Sequence, residues 1–417
     1  MGRLVSLLSI LGLLLAGCTT NPPAVQPSVG QSSSPADPAA RTRLAQVLLD
    51  SLTRAVRDHD QAAFAAILSA RDPLAVRPAR IIFENLTGLP LTELTFTARP
   101  RFAALSEDRR GKLGSEAWVQ QATVSWQLAD DARPAEHTVW LTMVPLGSRA
   151  QLAAVTDRPA NADPLPIWWS EPVVAERSGK VTALVSVALG TPGRWADAAA
   201  AAATAVADQV RRVAPTWSGK LMVEVPGSRQ LFEQALGAKA GSFAQIAAVT
   251  SAEGPNPASA ALRILVNPAA ADRLTNLGLA VLLAHEATHV ATRSVDSPAP
   301  VWAVEGFADY VAYEAYPKAS KDAIAPLLSD IRKRGEPTHL PSNANFRASA
   351  SGIGLTYAKA WLACRYVAEI YSPRQLDQIY SDLDRGRTLD QATQAVLNAS
   401  AEEFVAGWRS YLLGLAG

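Results

Sequence analysis

Two histidines four residues apart, with a glutamate directly after the first, close the run "LTNLGLAVLLAHEATHVAT" as His285, Glu286 and His289. The run is apolar for nearly four turns and predicts a buried helix. On a helix, positions i and i+4 share a face, so both imidazoles address one point. Glu286, next to the first of them, reaches a water held there. Imidazole nitrogens are zinc donors, and a carboxylate beside a zinc-polarised water is a general base, which is the chemistry this spacing serves. With five histidines in 417 residues, chance produces such a pentapeptide on the order of a few times in a thousand sequences.

Two ligands leave the site incomplete, because catalytic zinc takes three protein ligands and keeps a fourth position for water. After His289 the chain breaks at Ser297-Pro298-Ala299-Pro300 and re-enters a helix at "VWAVEGFADYVAYEAY". Glu305 lies there among Trp302, Val304 and Phe307, with Ala308 and Ala312 leaving its face free to approach the first helix, and is expected as the third ligand. Asp309, one turn on, is expected to accept a hydrogen bond from the second ring nitrogen of a ligand histidine and so fix its tautomer.

These residues resemble the gluzincin metallopeptidases, the thermolysin-like and M1-aminopeptidase-like group of the peptidase MA type. The shared features are H-E-x-x-H and a following helix with "WAVEGFA" at residues 302–308, including an aspartate four positions past the ligand glutamate. The segment "TYAKAWLACRYVAEIY" is similar to one in which a tyrosine opens a long helix and donates to the oxyanion, and Tyr357 is the matching position. The resemblance spans roughly residues 173–417. It implies a zinc cofactor, a peptide or protein substrate, a zincin-like domain, metal-bound water as nucleophile, Glu286 as general base and Tyr357 as oxyanion donor. The pattern departs in three places. Fifteen residues separate His289 from Glu305, Val304 stands where asparagine is usual, and no "G-x-M-E-N" stretch precedes the motif helix. "LRILVNP" occupies that place as an edge strand able to pair with an extended peptide. Endopeptidase rather than aminopeptidase action follows. Trp361, Tyr366 and Tyr371 follow Tyr357 at helical spacings and read as core, as does Cys364; His339, in a Pro- and Asn-rich loop, is an alternative oxyanion donor.

The N-terminus is expected to place this chemistry outside the cytoplasm. Residues 1–17 combine Arg3 with an apolar run too short to remain across a bilayer, as in a signal peptide. "LAGC" resembles the lipobox of bacterial lipoproteins, which makes Cys18 the lipidated mature N-terminus and the membrane anchor. Residues 18–40, rich in Pro and Ser, read as a tether. Thirty-nine basic residues stand against 38 acidic ones, and losing Arg3 evens them. Neither a nucleic acid nor a headgroup surface finds a basic field here. With Cys18 modified only Cys364 remains, so an intramolecular disulfide is excluded and the cores carry the stability.

The elements that must position these groups predict an α+β protein. Residues 41–170 read as one module. "RLAQVLLDSLTRAVRD" offers Leu44, Val47, Leu48 and Leu52 on one helical face, "DQAAFAAILSA" makes a second helix, and "LTELTFTARP", "WVQQATVSWQL", "HTVWLTMVPLG" and "RAQLAAVTD" alternate as strands. The helix pair resembles the start of NTF2-like or cystatin-like cone folds. His59, in a helix break, and His137, at a strand entry, read as solvated and take no role. Residues 171–417 hold a small mixed sheet, from "KVTALVSVALG", "KLMVEVPG", "SFAQIAAVT" and "LRILVNP", followed by a helical half. Other readings are an inactive zincin-like lipoprotein that binds a peptide or cell-wall partner, and a lipoprotein with structural zinc. Cys18→Ser is expected to release the protein from membranes or leave the signal uncleaved; unchanged fractionation and processing contradict the anchor.

Overall fold

The structure is a computed structural model describing residues 37–254, 256–347 and 350–417. The signal segment, Cys18 and the tether up to residue 36 lie outside the described residues. Asp37 accepts from the amides of Ala39 and Ala40, and Pro38 takes a first-turn position that needs no amide donor. The first helix, Pro38–Arg57, therefore starts inside the expected tether. It buries Leu48, Leu49 and Leu52 and leaves Val47 exposed, a face rotated from the expected one. Gln61–Ala66 follows after His59, which is exposed and holds a left-handed φ of 52° at the break. Helices at Arg77–Gly88 and Glu107–Leu113 have no counterpart in the sequence reading.

The protein is α+β, with its strands in two separate sheets. Strands β1 (Leu91–Ala103), β2 (Trp118–Leu128), β3 (Ala135–Leu146) and β4 (Arg149–Ala154) form an antiparallel meander in chain order. Their apolar positions pack against the first helices around Phe64, Phe83, Phe96 and Trp126. The second sheet holds β5 (Val173–Ser178), β6 (Val181–Ser186), β7 (Leu221–Val225), β8 (Ala248–Glu253) and β9 (Ala261–Val266). Its order is β5-β6-β7-β9-β8, with β6, β7 and β9 parallel and the two outer strands antiparallel.

That order corrects the expectation for "LRILVNP". Strand β9 is interior, flanked by β7 and β8, and the edge belongs to β8. All six residues of β9 are buried, as suits a strand covered on both faces. One face, with Val181, Ala183, Val223, Ala248 and Ile264, packs on a helical layer that includes Gly193–Val210 and Asn276–Thr292. The other face, with Leu184, Met222 and Ala261, joins the core of the N-terminal module. The module is thus the second cover of the sheet that faces the histidine helix. No helix among the described residues is long and apolar enough to cross a membrane.

Charges are buried in that junction. Arg263 of β9 is fully buried, pairs with Asp131 of the β2–β3 turn, and sets its Nε 3.3 Å from Glu253 Oε2 and 3.7 Å from Glu224 Oε1. His137 does not sit in solvent as its sequence position suggests. Its Nε2 lies 3.4 Å from Glu253 Oε2, because pairing of β3 with β2 faces it across to β8. Burial, then the Glu253 charge, lifts the Glu224 carboxyl well above its ordinary range; burial works the same way on Glu253, but His137 and Arg263 outweigh it. Arg263→Ala leaves Asp131 buried without its cation and Glu253 with His137 alone, and is expected to cost about 3–5 kcal/mol in urea unfolding. A loss below about 1 kcal/mol, the scale of an exposed pair, contradicts this account of the junction.

Candidate metal centre

The helix Asn276–Thr292 is capped by Thr275, whose side chain accepts from the Gly278 amide. Leucines, alanines and valines fill its turns, and the chain from Leu283 to His289 is buried. Arg293 ends it in a left-handed conformation, φ 52°, with its amide bonded to the His289 and Val290 carbonyls. The turn folds the chain back so that Ser294 Oγ lies 2.7 Å from His289 Nδ1. Sequence reasoning missed Ser294, since a side chain presented by a left-handed turn follows no period.

The next helix, Val301–Ala315, carries Glu305 and Asp309 and packs closely against Ile353–Ile370. Gly306 makes that approach possible. A Cβ there would run into the Ala360 carbonyl and come within 3.0 Å of Cys364 Sγ. The glutamate beside this glycine is therefore held by backbone contact between helices.

His285 Nε2 and His289 Nε2 stand 2.9 Å apart, and Glu305 Oε2 lies 3.2 Å from the first and 3.4 Å from the second. Asp309 Oδ1 sits 2.7 Å from His285 Nδ1, the arrangement expected of it. Both outer ring nitrogens thus have partners, and both Nε2 atoms face one point with a carboxylate. Three donors at these separations suit an ion with bonds of roughly 2.0–2.2 Å, and a two-histidine, one-glutamate set suits zinc. His285, His289 and Glu305 form the metal-capable group seen among the described residues.

The electrostatics follow the geometry. Burial disfavours a charge on His285, yet Asp309 and Glu305 outweigh it and raise its pKa well above the usual histidine value. Burial alone would lift the Glu305 carboxyl; His289 and His285 overcome that and hold it far below the carboxylate range. Burial, then the negative charges of Glu305, Asp309 and Glu286, push the Tyr357 phenol far above its ordinary value, so it remains a proton donor. Its ring centre is 6.1 Å from that of His285, and Phe346 props it edge-to-face at 5.4 Å. Glu286 is buried, and its Oε2 accepts from Thr250 Oγ1 of β8 at 2.6 Å, a partner with no signal in the sequence.

Trp361, Tyr366 and Cys364 are buried as expected. Tyr371 is not: it caps the end of Ile353–Ile370 and is exposed, because the helix has already passed the core edge there. His339 is exposed and bonds the carbonyl of its neighbour Leu340. No family model, curated protein or solved structure matches the chain.

His285→Ala, His289→Ala and Glu305→Ala are each expected to abolish stoichiometric zinc, and Asp309→Asn to weaken zinc by about 10–100-fold. Full occupancy in Glu305→Ala places the third ligand elsewhere. The shifted groups also set a pH dependence. The raised His285 pKa contributes stability that is complete below its unfolded value, about 6.5, and is lost as pH rises through the folded value. The depressed Glu305 pKa contributes stability complete above about 4.5 and lost as pH falls through the folded value. His285 would have to give up its Nε2 proton to hold a metal ion, so affinity for zinc is expected to rise with pH across neutrality, with about one proton released per ion. Titration calorimetry in buffers of different ionisation enthalpy reads that proton; zinc uptake with no proton release contradicts it.

Proposed function

We propose that the protein is a zinc-dependent metallopeptidase, an endopeptidase held on the extracytoplasmic face of a bacterial membrane through Cys18. The observation that carries this reading is the meeting of His285, His289 and Glu305 at one point, with Glu286 in the same turn of helix and Tyr357 alongside. Zinc, when bound, supplies a Lewis acid for the scissile carbonyl and brings the pKa of a water toward about 7. Glu286 takes the proton of the attacking water and delivers it to the leaving amine. Tyr357, kept protonated, donates to the oxygen that becomes negative. Asp309 and Ser294 hold the two imidazoles by their outer nitrogens. The edge of β8 offers backbone donors and acceptors to an extended peptide, which favours cleavage within chains over recognition of a free amino end.

One observation favours a structural zinc site instead: His285 and His289 are 9% and 7% exposed. A structural site has no use for Glu286, and the two readings part there. Glu286→Gln is expected to retain zinc and lose peptide hydrolysis, since an amide takes no proton. Tyr357→Phe keeps the ring and its packing on Phe346 and is expected to lower kcat by about 10²–10³ at nearly unchanged KM and zinc content. Wild-type turnover in Glu286→Gln removes the mechanism. A loss of folding stability in Tyr357→Phe makes that residue part of the core.

A further inference from the structure

We infer that Thr250 is a positioning residue that aims the Glu286 carboxylate, an assignment that rests on the peptidase reading and deepens it. A glutamate on a helix has three rotatable side-chain bonds, and the motif alone does not say where its carboxylate points. Here Thr250 Oγ1 donates to Glu286 Oε2 at 2.6 Å. A hydroxyl has one proton to give, and the alternative acceptor, the Glu286 carbonyl, is more distant at 3.4 Å. With Oε2 engaged, a proton arriving on the carboxylate is directed to Oε1. The contact turns a flexible side chain into a base with a fixed receiving oxygen.

The strand that supplies the hydroxyl is itself held from two sides. Thr250 pairs with Ile264 of β9 on the face that packs against the helices. Three residues on, Glu253 points to the opposite face, where Arg263 Nε and His137 Nε2 approach its Oε2 at 3.3 and 3.4 Å. His137 belongs to the N-terminal module. Strand β8 is paired on one side only, and Glu253 ties it to Arg263 of β9 and to His137 of β3. The N-terminal module thereby helps set the position of the hydroxyl that orients the base. A threonine in a strand is also a good β-former, so the test must separate hydroxyl from shape.

Thr250→Val keeps the branched shape and removes the hydroxyl; Thr250→Ser keeps the hydroxyl. Both are to be purified with zinc, assayed on a peptide that the wild type cleaves, and crystallised. Thr250→Val is expected to hold the same zinc as wild type and show unchanged KM, with kcat lower by about tenfold to a hundredfold, the scale of a misplaced catalytic group. Its Glu286 carboxylate is expected to leave the strand, while Thr250→Ser restores both kcat and carboxylate position. Wild-type kcat in Thr250→Val with Glu286 unmoved overturns the assignment, as does a serine variant that behaves like the valine one. If the wild type cleaves no peptide, the peptidase reading falls. The position of Glu286 in the two crystal structures then still decides whether Thr250 holds it.

Discussion

His285 Nε2 and His289 Nε2 lie 2.9 Å apart with Glu305 Oε2 a little over 3 Å from both, inside a protein core, and the surrounding structure answers to that contact. Polar nitrogens so close and so buried need a cation or proton between them and partners behind them. Asp309 and Ser294 stand behind, one on a neighbouring helix and one on a left-handed turn. Glu305 arrives only because Gly306 lets its helix touch the backbone of the next.

A second constraint reaches the site through the sheet. The face of β8 and β9 turned toward the helices is apolar apart from Thr250, and the opposite face carries Arg263 and Glu253 under the N-terminal module. Burying an arginine is tolerable only with carboxylates around it. Asp131, from the β2–β3 turn, is one of them, so the module contributes to neutralising the sheet's buried arginine. The residues around Glu286 therefore belong to a layered assembly of helix, sheet and module.

The parts governed by short periods were legible in the sequence. The four-residue repeat of His285, His289 and of Glu305, Asp309 marks helical faces, and alternation marks β1 to β4. The α+β class follows from those same patterns. What escaped depends on long-range order. Apolar runs covered on both faces look alike at the edge and in the middle of a sheet, so the sequence of β9 does not distinguish its interior place from the edge that β8 occupies. His137 looked solvated because its partner Glu253 lies 116 positions away in the chain. Thr250 and Ser294 reach the site through a strand register and a left-handed turn, neither of which leaves a spacing to read. Tyr371 kept the helical rhythm one step beyond the core that gives the rhythm its meaning.

The most direct measurement is digestion of a mixed peptide library by the purified, zinc-loaded protein, read by mass spectrometry before chelation, after chelation and after zinc is returned. The account expects cleavage at internal bonds that stops with chelation and resumes with zinc. A protein that holds one zinc per chain and leaves every peptide intact would contradict it.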